Sequence, residues 1–234
     1  MIRLCITGGG GRLAQALLTY FPYADAPGRD FLDVADAASC RRWFSSKTYD
    51  VVIHTAAATA HDATPATYQH HNVIGTSQVA HWARKQGARL VYTSTDYVYP
   101  AWIAGPHRET DPVWPVNSYA WSKLGGETVC QLYDQSLIVR GSWYGHLDQP
   151  SATTDGFTSK VPVARAAAWI AGLATSTVTG IVNIGGARRS LWEIVVTEFN
   201  PQCRPISRSQ VPVPYTIPMD SSVDTTRMRS LIGR

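Results

Sequence analysis

Short apolar runs alternate along this chain with longer stretches in which apolar positions recur every three or four residues. Met1 to Thr7 has the pattern of a buried strand and breaks at a glycine cluster, after which Arg12 to about Tyr20 shows helical spacing. Val51 to His54 (VVIH) and Arg89 to Thr95 (RLVYTST) are further strand patterns, the second closing in hydroxyl residues. Ser136 to Arg140 and Ile181 to Ile184 complete the set. Helical spacing is predicted over Thr67 to Gln86, stopped by Gly87, and over Ser118 to Tyr133, Val163 to Leu173 and Leu191 to Phe199. Strands alternating with helices predict βαβ units and a parallel sheet, whose strands are covered on both faces and so read as continuous apolar runs. Three stretches fit this alternation poorly. Between Phe21 and Asp33, Pro22, Pro27 and Gly28 leave room only for a strand stub. Gly145 to Lys160 is polar and loop-like, and Pro201 to Pro218 is proline-rich and expected to be irregular.

The first strand and helix enclose Gly8-Gly9-Gly10-Gly11-Arg12-Leu13-Ala14. Glycines here allow a tight turn and close approach of a pyrophosphate, and the helix start offers free N–H groups to the anion. The spacing is GxxGxxA, carried by Gly8, Gly11 and Ala14. An acidic residue about 20 positions on often holds the ribose of a dinucleotide. Asp25 and Asp30 are the candidates, and Arg29 beside them could instead meet a 2′-phosphate and select NADPH. Solvated loop charges are an equally good reading of all three. The expected fold is α/β, a Rossmann-type doubly wound parallel sheet. Residues 1–145, with a strand from 179–186 added, form the dinucleotide-binding core. Residues 146–234 form a short substrate-binding and C-terminal region, packed with the core as one compact unit.

Tyr119 and Lys123 form a YxxxK pair on a predicted helix, where positions four apart share a face. A phenol, with a pKa of about 10, is a weak acid–base group at neutral pH, and a nearby ammonium favours its ionised form. The pair gains meaning from Thr93-Ser94-Thr95-Asp96 at the end of a parallel strand, where α/β sheets place their sites. A hydroxyl there can polarise a carbonyl that Tyr119 protonates.

Composition narrows the classes. Charged residues make up only 16% of the 234, against an extended disordered chain. The net charge of +4 is scattered, which suits a phosphate-bearing small ligand and gives no block for nucleic acid. Cysteines 5, 40, 130 and 203 lack metal-ligand spacing, the histidines are dispersed, and no metal is expected. No signal-like segment and no apolar run of the ~20 residues a membrane span needs is present, so a cytoplasmic enzyme is expected.

Together these segments resemble an extended short-chain dehydrogenase, most like the dTDP-4-dehydrorhamnose reductase family. The matching stretches are TGGGGRLA at 7–14, LDV at 32–34, HTAAATAHD at 54–62, NVIGT at 72–76, STDYVY at 94–99, YAWSKLGGE at 119–127, LIVRGSWYG at 137–145 and VDTTRMRSLIG at 223–233. The resemblance implies an NADPH or NADH cofactor, a nucleotide-sugar substrate and a homodimer. It implies that Gly11, Arg12 and Leu13 line the pyrophosphate and that Asp33 and Val34 sit by the adenine. Ala56, Ala57 and Ala58 would run along the cofactor, supported by Asn72. Thr95 would bind the reacting oxygen with Ser94 as its understudy, Asp96 would lie near the sugar, and Trp143 would pack against the substrate. Ala14 and Ala120 stand where the family usually has glycine, and Leu147 to Lys160 is shorter than the family's substrate region. A sugar-nucleotide epimerase and a non-catalytic NADP-binding regulatory subunit are the alternatives on this scaffold.

Overall fold

The computed structural model describes residues 2–59, 63–211 and 216–232. In chain order its elements begin with β1 (Leu4–Thr7), α1 (Arg12–Leu18), α2 (Ala37–Ser46), β2 (Val51–His54) and α3 (Pro65–Tyr68). A π-helical turn, Gln69–Ile74, joins α3 to α4 (Gly75–Gln86). Then come β3 (Arg89–Thr93), α5 (Ser118–Gln131), β4 (Ser136–Arg140), β5 (Trp143–Tyr144), β6 (Ser151–Thr153), β7 (Phe157–Thr158) and β8 (Val161–Pro162). The chain closes with α6 (Val163–Ala174), β9 (Gly180–Asn183), β10 (Arg189–Ser190), α7 (Leu191–Glu198), β11 (Arg204–Ile206) and α8 (Thr226–Ile232).

Five strands form one parallel sheet in the order β1-β2-β3-β4-β9. Alternate residues of each strand feed opposite cores, as the two-residue strand period requires. Leu4, Ile6, Val51, Ile53, Val91, Leu137 and Val139 pack with α1 and α6 on one face. Cys5, Val52, Leu90, Tyr92 and Ile138 pack with α2 and α4 on the other. The expected stub in the Phe21–Asp33 stretch is a single parallel bridge, Asp25 against Cys5. Asp25 N–H donates to Leu4 O at 2.9 Å and Ile6 N–H to Asp25 O at 2.8 Å, extending the sheet on the far side of β1. This reversal of strand order beside β1 is the topological switch point at which such sheets bind ligands.

Local chemistry sets the helix ends. Gly87 stops α4 at φ 65°, a left-handed turn that glycine adopts without strain. Asn117 caps α5 by accepting from Ala120 N–H at 2.8 Å. α2, which periodicity did not reveal, is started by Asp36 accepting from Ala38 N–H at 2.9 Å. The loop expected from Gly145 to Lys160 instead holds two- and three-residue strands. β5 pairs with β8, β7 with β10, and β6 with β11 from the proline-rich tail. Their partners are distant in sequence, so no local pattern announces them. α6, which follows them, packs against α1 on the same face of the sheet.

Candidate active site

The carboxyl ends of β1, β2, β3 and β4 lie in register, with Thr7 opposite His54 and Thr93 opposite Val139. A cavity of about 420 Å³ opens beyond that edge, and its lining includes Arg12, Ser94, Thr95, Asp96, Tyr119 and Trp143. The fold thus brings six of the residues singled out in the sequence into one space. Also on its wall, and unforeseen, are Tyr68, Asn117, Ser142 and Lys160. Asn117 carried a readable signal, an Asn-Ser pair before a helix. Ser142 and Lys160 carried none.

The glycine loop is shaped by close backbone approaches. Gly8 has φ 73°, and a Cβ there would stand 2.8 Å from Ala56 Cα. A Cβ on Gly9 would stand 2.0 Å from Ala26 O. At Gly10 a Cβ would meet nothing within 4 Å, and Gly11 N–H turns back to Gly8 O at 2.8 Å, so the loop presents bare backbone outward. Leu13 sends its side chain into the core and offers only its backbone to the loop. Gly8→Ala is expected to lose at least ~1–2 kcal/mol of unfolding free energy from the left-handed backbone alone. A chemical denaturation midpoint equal to that of the parent would contradict this account.

Behind the loop, Asn72 fastens the segment after β2 to α5. Its Oδ1 accepts from Ala58 N–H at 2.7 Å, and its Nδ2 donates to Ala58 O at 3.0 Å and Ser122 Oγ at 2.9 Å. Ser122 Oγ in turn donates to Tyr119 O at 2.6 Å. The π-helical turn supplies the extra residue that swings Asn72 fully inside. Below it, buried His54 bridges Thr7 Oγ1 at 2.7 Å and Thr76 Oγ1 at 3.0 Å. Thr76 Oγ1 donates to Asn72 O at 2.6 Å, so His54 Nε2 is the donating nitrogen and Nδ1 accepts from Thr7. Burial, helped by the Lys123 charge, pushes the His54 imidazole down to about 3. The unfolded chain therefore takes up a proton as pH falls through the ordinary histidine range of ~6.5, while the folded chain refuses it. Stability is expected to fall between about pH 6.5 and 3, and the slope of Tm against pH there should flatten in His54→Asn; an unchanged slope would refute it.

Arg29, Asp33 and Val34, expected at the adenosine end of a cofactor, lie close together in the chain and in space. Arg29 is exposed, 3.5 Å from Asp33 Oδ2 and 2.8 Å from the His71 ring nitrogens. Asp33 Oδ1 accepts from Ala35 N–H at 3.0 Å, and Val34 is buried, close under Gly75. Of the two acidic candidates for the ribose, Asp25 is turned away from this edge. Its carboxylate accepts from Tyr49 Oη at 2.8 Å and pairs with Lys47 at 2.9 Å.

The cavity wall around Thr95 and Asp96 is built from hydroxyls and charges. Asp96 is buried and accepts from Ser142 Oγ at 2.8 Å, Ser221 Oγ at 3.0 Å and Thr95 Oγ1 at 3.3 Å. Burial pushes its carboxyl up, against the Lys160 charge and the three hydroxyls. Thr95 Oγ1 also accepts from Tyr97 N–H at 3.2 Å, which fixes its rotamer. Ser94 lines the cavity but donates its proton inward to Glu127 Oε1 at 2.5 Å. It can offer a ligand only lone pairs, unlike the donor expected of it.

Tyr119 stacks edge-on against Tyr68 at 5.9 Å. Burial, then the charge of Asp96 and then Tyr68, push its phenol well above the usual range. Lys123 stands a helical turn deeper, buried, with Nζ 4.3 Å from the centre of the Tyr92 ring. Burial pushes it down to about 8, against Cys130 and Glu127. The sequence expectation that Lys123 lowers the Tyr119 pKa is not met by this arrangement. The ammonium faces an aromatic ring and does not offset the desolvation of the phenol, so Tyr119 is held protonated. Among the described residues, no cluster of three or more His, Cys, Asp or Glu side chains could hold a metal ion, and His61 and Asp62 lie outside those residues. Among the described residues, no helix is long and apolar enough to cross a membrane.

A doubly wound sheet, a glycine loop after its first strand, and a tyrosine that shares a cavity with a strand-end threonine define the short-chain dehydrogenase architecture. Within it, the chain belongs to the RmlD substrate binding domain family, which matches residues 2–159. It is 34% identical over 155 residues to the spore coat polysaccharide biosynthesis protein SpsK of Bacillus subtilis (strain 168), covering 62% of this chain and 55% of that one. It is 35% identical over 156 residues to the dTDP-4-dehydrorhamnose reductase of Mycobacterium tuberculosis (strain ATCC 25618 / H37Rv), covering 60% of this chain and 50% of that one. The chain thus spans about half the length of the curated relatives it matches. The crystal structure of dTDP-4-dehydrorhamnose reductase from Bacillus anthracis str. Ames in complex with NADP superposes with a TM-score of 0.89, over 98% of this chain and 92% of that one. At 24% identity that likeness establishes the fold.

Proposed function

We propose that this chain is an NADPH- or NADH-dependent reductase acting on the carbonyl of a nucleotide sugar, a dTDP-4-keto-6-deoxy sugar. The observation that carries the reading is the single cavity in which Tyr119, Thr95 and Asp96 meet Arg12 of the glycine loop. Support comes also from the 35% identity to a dTDP-4-dehydrorhamnose reductase and from the NADP bound in the similar solved enzyme.

The residues present fit the cofactor. Gly10 leaves space where a side chain would stand, and the backbone at Ala56–Ala58 is half-buried near the same loop, held by Asn72. Reduced nicotinamide supplies a hydride to a carbonyl carbon. The oxygen then gains negative charge and must receive a proton. Tyr119, held protonated by its burial, donates that proton from Oη. Thr95 Oγ1, kept in place by Tyr97 N–H, turns its hydroxyl away from Asp96, which it meets at 3.3 Å, to the same oxygen. Asp96 accepts from a sugar hydroxyl, Trp143 packs on the ring, and Lys123 holds the cofactor ribose. Arg29 and Asp33 take the adenosine end. The proposal extends to a homodimer in the cytoplasm. Exposed Trp102, Trp114 and Trp121, in edge contact at 6.3 and 5.9 Å, supply an apolar face for a second copy.

The test is NADPH and NADH oxidation with a panel of 4-keto sugar nucleotides. Turnover with at least one dTDP-linked member is expected. Bound cofactor with no consumption against any of them overturns the proposal in favour of a regulatory subunit.

A further inference from the structure

We infer that Lys160, with Arg12 across the cavity from it, forms an anion subsite that takes a phosphate group of the bound nucleotide. The inference rests on the nucleotide-binding reading above and adds a residue to it.

Lys160 stands immediately before β8, in a segment that is pinned on all sides. Its own N–H donates to Thr158 Oγ1 at 3.1 Å. Ser159 O accepts from Gly186 N–H at 2.8 Å and Ser159 Oγ from Val223 N–H at 3.2 Å. Val161 N–H donates to Ser142 O at 3.2 Å. Four anchors over three residues fix the direction in which the side chain leaves the backbone, and that direction is into the cavity. Surface lysines are not held in this way.

Among the described residues its ammonium makes no hydrogen bond or ion pair. Asp96 is the carboxylate that acts on it, yet Asp96 already accepts from three hydroxyls. Arg12 is likewise without an ion pair among the described residues, and it extends along Gly145, where a Cβ would come within 3.1 Å of its Nη1. Burial and the Arg12 charge push the lysine pKa down, and only Asp96 opposes them. Two cations on the wall of one cavity, the lysine half-buried and the arginine exposed, disfavour the charged state of the lysine unless an anion lies between them. A phosphate meets that need, because a lysine head presents three donors on a compact charge and arginine a planar fork.

Two phosphates could occupy the subsite, the pyrophosphate of the cofactor and the diphosphate of a nucleotide sugar. Binding of NADP⁺ and, separately, of dTDP should be measured by titration calorimetry on the full chain, on Lys160→Met and on Lys160→Arg. Lys160→Met is expected to lose at least tenfold in affinity for one ligand or both, and Lys160→Arg to recover most of it. A loss confined to NADP⁺ assigns the subsite to the cofactor, and one confined to dTDP to the substrate. Affinities of Lys160→Met within twofold of the parent for both ligands overturn the inference, as does a loss that arginine does not restore. A parent chain that binds neither ligand removes the functional reading itself, whereas a parent that binds NADP⁺ beside an unaffected Lys160→Met removes only Lys160. Should Lys160→Met not fold, Lys160→Gln serves. The affinity of the parent should then fall more steeply with sodium chloride than that of Lys160→Gln, and equal slopes would overturn the inference.

Discussion

Tyr119→Phe is expected to lower kcat by roughly 10²–10⁴-fold while leaving the Kd for NADP⁺ within twofold of the parent. The substitution removes one oxygen and keeps the ring. The edge contact with Tyr68 survives, as does the backbone bond from Ser122 to Tyr119 O. What disappears is the phenol proton that the proposed mechanism delivers to the reacting oxygen. Asp96 is an acceptor for three hydroxyls, Thr95 is a hydrogen-bond donor of ordinary alcohol acidity, and Ser94 gives its proton to Glu127. A hydride transfer without a proton would leave an alkoxide beside the Asp96 carboxylate. The raised phenol pKa gives the direction of the pH dependence. Tyr119 stays protonated through the neutral range, so reduction by the parent should not decline as pH rises from 6 to 8 through loss of this proton. Single-turnover NADPH oxidation measures the chemical step apart from product release. A Phe variant within tenfold of the parent in that step would remove Tyr119 from the mechanism.

The parts of this site that could be read in the sequence are those whose chemistry is local. Gly8 to Gly11 announce a strand-to-helix turn, and the turn is there because Ala56 and Ala26 press against two of the glycines. Tyr119 and Lys123 share a helix face by spacing alone. Thr95 and Asp96 end a strand whose apolar run is visible. What could not be read depends on segments far apart in the chain. Ser221 reaches Asp96 across 125 positions, and Lys160 is aimed by bonds to Ser142, Gly186 and Val223. β6 is a strand only because β11 lies beside it. Spacing also misjudged electrostatics. It placed an ammonium near a phenol correctly in sequence, but burial determines the charge of both groups, and burial is a property of the assembled core. Arg29 illustrates the same limit, since its partner His71 comes from the π-helical turn, which has no sequence signature here.

Glu127→Ala is expected to destabilise the fold by ~3–5 kcal/mol, the cost typical of leaving one member of a buried ion pair without its partner. Glu127 is wholly buried and Arg140 only 3% exposed, and three bonds of 2.7, 2.9 and 3.2 Å join them. Arg140 also donates to Tyr99 Oη at 3.1 Å, and Tyr99 donates to Asn183 Oδ1 at 2.9 Å. Through this chain α5, β4 and β9 are tied beneath the cavity floor, and Ser94 is tied in from above. Alanine at 127 strands the guanidinium in a low-dielectric interior and frees the Ser94 hydroxyl at once. The replacement of both ends, Glu127→Leu with Arg140→Leu, removes the charge together with its partner and should recover most of the loss, because neither ion is then left uncompensated. Urea unfolding of the two single variants and the double variant measures the coupling directly. A loss below ~1 kcal/mol in Glu127→Ala, within the range of exposed pairs, would mean that water reaches Arg140 and that the floor of the site is not the dry, fixed platform on which Ser94 and Thr95 are held.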